Sequence, residues 1–454
     1  MSPFDASSAR EVVPRYRAVT RSNVHKTPQW SKLSPDMREA IEVVSQVLPF
    51  RTNPYVMDEL IDWDDVPADP VYQLTFVQKG MLSDADYEQM AQLVRADAPR
   101  SEIKRVADTI RRRLNPHPAG QMTHNVPTLG EGPDARAVPG LQHKYDQTVL
   151  LFPSQGQTCH AYCTFCFRWA QFVGLDDLKF QAQETTDLRD YLRAHHEVSD
   201  VLVTGGDPMV MKTKALRAYL EPLLSPEFDH VTSIRIGTKS VAYWPHRYLT
   251  DPDADDLMQL FDEIVDSGKH LAIMGHYNHP RELSTTAAQR AVRRIRNTGA
   301  NVRMQSPLIR HVNDDADAWA TLWKEGVKLG AIPYYMFVER DTGPKRYFEV
   351  PLVRAWEIFQ NAYQQVSGLA RTVRGPSMSA FPGKVLVDGV AEVAGEKVFC
   401  LQLLQGREGD WVRRPFFAQY DAEATWLSQL KPAFGAQRFF FEDEPAGPTR
   451  LRVL

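Results

Sequence analysis

The spacing of apolar residues changes near residue 147, and the change divides the chain. Before that point it is helical. Ser34 followed by Pro35 reads as a helix start, and Met37, Ile41, Val44 and Leu48 then fall on one face. Ser83 opens a second candidate helix and Ser101 a third. In the third, Ile103, Val106, Ile110 and Leu114 share a face, and Asn115-Pro116 stops it. Residues 1–115 are therefore expected to form a helical N-terminal region. Residues 116–146, rich in proline and glycine as far as residue 140, read as a connecting segment.

From residue 147 short apolar runs alternate with amphipathic stretches. The predicted strands are Thr148–Phe152, Val201–Thr204, Ser233–Gly237, Leu271–Met274, Val302–Gln305 and Tyr334–Val338. Predicted helices follow them near 184–196, 213–224, 253–267, 285–298, 314–329 and 351–366. Six strand–helix units in succession predict an α/β fold with a parallel sheet and outside connections. A closed barrel has eight units, so six predict an open, partial barrel over residues 147–370, with a C-terminal region at 371–454.

Polar residues gather after these strands. Cys159, Cys163 and Cys166 follow the first, Gly205-Gly206-Asp207 the second, and Gly237-Thr238-Lys239 ends the third. His276, Asn278 and His279 follow the fourth, Gln305 ends the fifth, and Arg340 and Asp341 follow the sixth. Parallel βα folds build their sites at the carboxyl ends of strands, so these loops predict one shared site.

Composition narrows the class. The hydrophobic fraction of 43% and charged fraction of 24% are those of an ordinary globular protein. A net charge of −4 offers no basic field for nucleic acid, and Arg111-Arg112-Arg113 reads as a solvated helix face. No stretch approaches the ~18 apolar residues of a membrane span. Met1-Ser2-Pro3-Phe4-Asp5 lacks the basic-then-apolar pattern of a secretory leader. Three of the four cysteines fall within eight residues, which is no disulfide framework. A reducing, cytoplasmic location is expected.

Cys159-His-Ala-Tyr-Cys163-Thr-Phe-Cys166 is a metal-binding spacing, for an iron–sulfur cluster or for zinc. Structural zinc needs a fourth ligand, and His160 or the distant Cys400 would have to supply it. Three thiolates on a [4Fe-4S] cluster leave one iron open.

The C-x3-C-x2-C run, with Phe165 before its last cysteine, resembles the signature of radical S-adenosylmethionine (SAM) enzymes. The resemblance implies a [4Fe-4S] cluster on Cys159, Cys163 and Cys166, with SAM on the open iron. Phe165, Gly205, Gly206 and Asp207 stand at positions of the SAM site, the glycines where the family binds the SAM amino group. An electron donor of flavodoxin or ferredoxin type is implied as well.

A longer series is similar to the lysine 2,3-aminomutase family. It comprises Pro139-Gly-Leu-Gln-His-Lys-Tyr145, the cysteine run, Thr204-Gly-Gly-Asp207, Arg235-Ile-Gly-Thr238, His276-Tyr-Asn-His-Pro280, Asn313-Asp314 and Pro333-Tyr-Tyr335. That family uses SAM, the cluster and pyridoxal phosphate (PLP) to move an α-amino group to the β-carbon. Arg168 matches the arginine that holds the substrate carboxylate, and Lys384 the lysine that carries PLP. Only Gly383 precedes Lys384, where the family usually has several glycines, and an ordinary turn lysine is the competing reading. His276 and His279 stand where SAM is held, or are structural histidines. Lys144, Arg247 and Gln305 are the implied phosphate partners, with Lys144 in place of an arginine.

The substrate side departs from the family. Two aspartates bind the distal ammonium in lysine-using members, and straight alignment puts Arg340 and Arg374 there. An offset of one residue restores Asp341 at the first position. The arginines predict an amino acid other than lysine, with acidic ones among the candidates. Only Cys400 follows the cluster run, so the family's C-terminal intersubunit zinc is not expected. Trp411, Phe416 and Phe417 read as packing. The N-terminal region would support the barrel or form a subunit contact in a homo-oligomer. Two further readings compete: another radical SAM reaction on this scaffold (dehydration, epimerisation or side-chain modification), and a non-catalytic iron–sulfur or zinc module.

Overall fold

In the computed structural model, residues 14–115, 125–130, 132, 135–174, 180–182 and 186–442 are described. Part of the proline- and glycine-rich stretch of the connecting segment, and the first five residues used for the leader argument, lie outside them.

One eleven-stranded sheet organises the molecule, and its strands lie side by side in chain order. They are β1 (Leu141–Tyr145), β2 (Thr148–Leu151), β3 (Asp200–Val203), β4 (Ser233–Thr238), β5 (His270–His276), β6 (Asn301–Leu308), β7 (Ile332–Val338), β8 (Arg374–Ser379), β9 (Gly383–Val393), β10 (Glu396–Gly406) and β11 (Pro415–Gln419). β2 to β8 run parallel. β1 pairs antiparallel with β2, and β9 to β11 continue antiparallel from β8. β1 and β11 are the two edges, so the barrel is open and partial.

All six predicted strand–helix units are present. Their helices are Thr186–Ala194, Thr213–Leu220, Ala254–Asp266, Thr286–Asn297, Ala316–Lys328 and Leu352–Gln364. Each buries one apolar stripe against the sheet, as Leu257, Leu260, Phe261 and Ile264 do on the third. β8 adds a seventh parallel strand that spacing alone did not predict.

The strands alternate. Val201, Val203, Ile234, Ile236, Leu271, Ile273, Val302 and Met304 enter the helix-facing core. Their neighbours Asp200, Arg235, His276, Arg303 and Gln305 stand on the opposite, inner face. That alternation gives the barrel a polar, charged interior.

The N-terminal helices Pro35–Val44, Pro70–Thr75, Asp84–Arg95 and Arg100–Leu114 share one core with the barrel. Ser34 caps the first through Met37 N and Ser83 caps the third through Asp86 N. Ser101 caps nothing: the last of these helices begins at Arg100, with Pro99 at its N-cap. Proline supplies the fixed φ of a helix entry without a side-chain acceptor, so the start falls earlier than the serine.

A second core holds the last strands together, with Trp411 and Phe416 inside it. Phe417 packs edge-on against Phe434. Among the described residues, no helix is long and apolar enough to cross a membrane.

Candidate active site

The cluster loop leaves β2 and is held from outside by the N-terminal region. Tyr162 N donates to Arg51 O at 2.8 Å and Thr164 N to Leu74 O at 3.0 Å. His160 O accepts from Tyr16 OH at 2.9 Å and from Asn53 Nδ2 at 3.2 Å. Backbone groups that a short loop would otherwise leave unpaired are thereby satisfied.

Burial pushes all three thiols up: Cys166 to about 11, Cys163 to about 12, and Cys159 well above its ordinary value. These thiols become thiolates only when a metal centre supplies the charge. Among the described residues, the three sulfurs do not crowd within 4.8 Å of one another. Thiolates on one zinc sit about 3.8 Å apart, given Zn–S bonds of about 2.3 Å. Three thiols held further apart fit an iron–sulfur cluster. His160 does not join them. Its ring is buried between Tyr16, edge-on at 5.2 Å, and Trp244, stacked at 6.4 Å. Cys400 lies in mid-strand on β10, paired with Phe417. Phe165 is buried edge-on against Phe348.

Gly205 and Gly206 lie against this loop. A Cβ on Gly206 would meet Thr158 O at 2.5 Å, and one on Gly205 would meet Gln157 Nε2 at 2.8 Å. Only glycine permits that approach. Asp207 N donates to Gly156 O and Thr158 O at 3.0 and 2.7 Å, locking the two loops together.

The Asp207 carboxylate is fully occupied. It accepts from Met209 N, Thr238 Oγ1, Lys239 N and Ser240 N at 2.7–3.0 Å. Its side chain ties the end of β3 to the end of β4.

His276, the last residue of β5, stands beside Gln305 of β6. Burial drives His276 down to about 3, so the imidazole is neutral, and Gln305 Nε2 donates to its Nε2 at 3.2 Å. His279 caps a short helix, accepting from Arg281 N at Nδ1 at 3.3 Å, and burial lowers it to about 4. Beside them, Lys239 Nζ donates to Glu282 Oε1 at 2.5 Å and Asn278 Oδ1 at 2.8 Å.

The inner wall carries cations with few acidic partners. Arg168 is pushed down to about 10 by burial. Its Nη2 donates to Gln171 Oε1 at 2.9 Å, its Nε is buried without a partner, and its guanidinium lies 4.1 Å from the Phe152 ring. Arg340 stands between the rings of Phe167 and Trp426 at 5.3 and 6.0 Å, again with a buried, unpartnered Nε. Lys144 donates to Ala380 O at 2.6 Å, and burial with Arg407, Arg340 and Lys384 nearby drives it well below its ordinary value.

Lys384, at the start of β9, points its Nζ at the Tyr335 ring, 4.2 Å away. Burial, with Arg235 and Arg374 nearby, pushes it down to about 7. Arg374 lies over the same ring at 4.2 Å and over Tyr334 at 4.4 Å.

Arg247 is held by the protein's own groups. Its Nε donates to Met209 O at 2.9 Å, Nη2 to Met211 O at 3.1 Å, and Nη1 to Asp253 at 2.9 Å. A guanidinium so engaged braces the loop after β3 and has little left for a phosphate. Arg407 was not singled out from the sequence. Its Nε holds Phe381 O at 2.8 Å, and it acts on Lys144. Arg235, paired with Asp200, is a further inner-face residue, which the sequence placed in a motif block without a site role. Arg407 follows the end of β10 and Arg235 lies within β4, and neither single basic residue is marked by spacing.

Buried guanidinium nitrogens without a protein partner suit anions, and three buried thiols on one loop suit a metal centre. An open parallel α/β barrel with this loop over its carboxyl ends defines the protein as a radical SAM enzyme. No family model matches the chain. A putative L-lysine 2,3-aminomutase of Aquifex aeolicus is 32% identical over 358 residues, covering 79% of this chain and 82% of that one. The L-lysine 2,3-aminomutase of Clostridium subterminale is 29% identical over 51% of this chain and 52% of its own. The glutamate 2,3-aminomutase of Clostridioides difficile is 30% identical over 47% of each. The chain belongs to the lysine 2,3-aminomutase family. Among solved structures, a radical SAM methyltransferase from Sphaerobacter thermophilus is similar at 17% identity and a TM-score of 0.37, over 65% of this chain and 94% of its own. A similarity that low adds nothing to the sequence relationship.

Proposed function

We propose that the protein is a 2,3-aminomutase for an amino acid other than lysine, using PLP at Lys384. The observation that carries this reading is the Lys384 amine. It sits on the Tyr335 ring inside the barrel, pushed down to about 7, with no carboxylate paired to it among the described residues. A lysine whose amine is available unprotonated near neutral pH is suited to carry a carbonyl cofactor.

When bound, the cluster with SAM supplies the radical that takes a hydrogen from the substrate, and PLP supplies the carrier for the migrating amino group. The chain's own residues orient and shield. Cys159, Cys163 and Cys166 would hold the cluster, and the neutral His276 would offer SAM a polar but uncharged neighbour. The buried Nε of Arg168 would pair with the substrate α-carboxylate. Lys144, with Arg407 beside it, would take the phosphate.

Arg340 supports the choice of substrate. Its Nε lacks a partner, and a guanidinium at that position repels a distal ammonium and attracts a carboxylate. Glutamate and aspartate are the candidates it favours.

The test is anaerobic reconstitution with iron and sulfide, followed by SAM, PLP and dithionite and a panel of amino acids. A β-amino product from glutamate or aspartate is expected. Turnover of lysine with both acids untouched would overturn the substrate assignment. 5′-Deoxyadenosine without any β-amino product would overturn the aminomutase reading.

A further inference from the structure

Arg51 lies 107 positions before Thr158, yet its Nη1 donates to Thr158 Oγ1 at 2.6 Å and to Cys159 O at 3.3 Å. Its guanidinium also lies 5.0 Å from the centre of the Tyr162 ring, and the Tyr162 hydroxyl is 3.1 Å from Thr158 Oγ1. The backbone closes the same circuit, since Tyr162 N donates to Arg51 O at 2.8 Å. One residue of the N-terminal region thus grips the cluster loop on both sides of its first cysteine. No carboxylate is paired with it among the described residues, and its Nε is buried without a partner.

We propose that Arg51 is a positioning residue of the iron–sulfur site: it fixes the loop at Cys159 and places a permanent positive charge beside the cluster, raising its reduction potential. The inference rests on the family reading, which supplies the cluster. Guanidinium stays charged at any working pH. Reduction adds one negative charge to the cluster, so a nearby cation stabilises the reduced form more than the oxidised form. Cluster potentials respond to net charge and hydrogen bonding around the sulfurs. The N-terminal region, whose sequence discloses no chemistry, would then be half of the redox site.

The experiment is a potentiometric titration of the full-length reconstituted protein, read by electron paramagnetic resonance of the reduced cluster. Wild type, Arg51→Lys and Arg51→Met are compared, with iron and sulfide measured for each. Arg51→Met is expected to shift to a more negative potential, with on the order of a tenfold loss in the reduction equilibrium, or about 59 mV for one electron. Arg51→Lys keeps the charge and should stay near wild type. Should Arg51→Met lose its iron while its circular dichroism is unchanged, and Arg51→Lys keep it, the role also stands. Equal potentials and equal iron in wild type and Arg51→Met would overturn it, as would Arg51→Lys behaving like Arg51→Met. Wild-type protein that takes up no [4Fe-4S] cluster would overturn the family reading itself, and the inference with it.

Discussion

Lys384 Nζ and the Arg374 guanidinium share one aromatic ring, each 4.2 Å from the centre of Tyr335. Burial comes first in disfavouring a charge on the Lys384 amine, and the guanidinium groups of Arg235 and Arg374 add to it. Asp200, which acts the other way, is held by Arg235 Nε at 2.7 Å and by Thr148 Oγ1 at 2.8 Å. Lys384 therefore titrates low, and the consequence appears in stability.

Its folded value is about 7 against an ordinary 10.5. Between those values the unfolded chain holds a proton that the folded chain does not, so the stability of the wild type rises with pH through that window. Below it the penalty is constant. In Lys384→Met the dependence is gone. Urea unfolding of both apoproteins at pH 7 and pH 9.5 should show the wild type gaining on the variant at the higher pH. A gap that widens in the variant's favour would refute the assignment.

Asp207 should prove a fold residue whose loss reaches the cluster. Asp207→Ala removes a buried acceptor shared by four donors, with an expected cost of roughly 3 kcal/mol. Denaturant unfolding measures the loss, and iron content should fall with it. Full stability with weakened SAM binding would return Asp207 to the cofactor site.

Gly206→Ala brings a methyl group to 2.5 Å from Thr158 O, a backbone atom that cannot step aside alone. A cost of roughly 2 kcal/mol is expected, with the strain placed one residue before Cys159. Iron per chain after reconstitution should drop below wild type. Normal iron uptake would mean that the loops separate freely.

Arg247→Gln separates bracing from phosphate binding. It leaves Asp253 short of its partner and should lower stability by roughly 2 kcal/mol. PLP affinity, followed by absorbance, should stay within twofold. A drop in affinity near tenfold would restore the phosphate role.

Arg340→Gln addresses the substrate. Loss of a paired charge at a carboxylate is worth about 2 kcal/mol or more, so KM for a dicarboxylic substrate should rise roughly 30-fold. kcat should change far less. An unchanged KM would place the side chain of the substrate elsewhere.

The parallel barrel was legible because each of its six predicted strands is a short apolar run closed by polar residues and followed by a helical stripe. The cysteine run was legible from its spacing as a candidate metal site. The later strands were not. β8 contains Gly375-Pro376, a pair that argues against a strand, and it tolerates them through an irregular register with β7. β9 carries Asp388-Gly389, which reads as a turn and is instead a bulge opposite Cys400. Arg247 shows a different limit. Its alignment position suggested a phosphate, while its actual partners, Met209 O, Met211 O and Asp253, come from other segments that no local pattern couples to it. Arg51 was invisible for the same reason, since its contacts lie more than a hundred residues along the chain.

The eleven strands occupy the sheet in the order in which they occur in the chain. No strand has to be threaded between two that are already paired. Each can be added to a growing edge as it is synthesised. The cysteine loop leaves the second strand of the series and the Lys384 amine belongs to the ninth, so the two parts of the candidate site are laid down far apart in time. Until the ninth strand is in place, the interior stays open along one side.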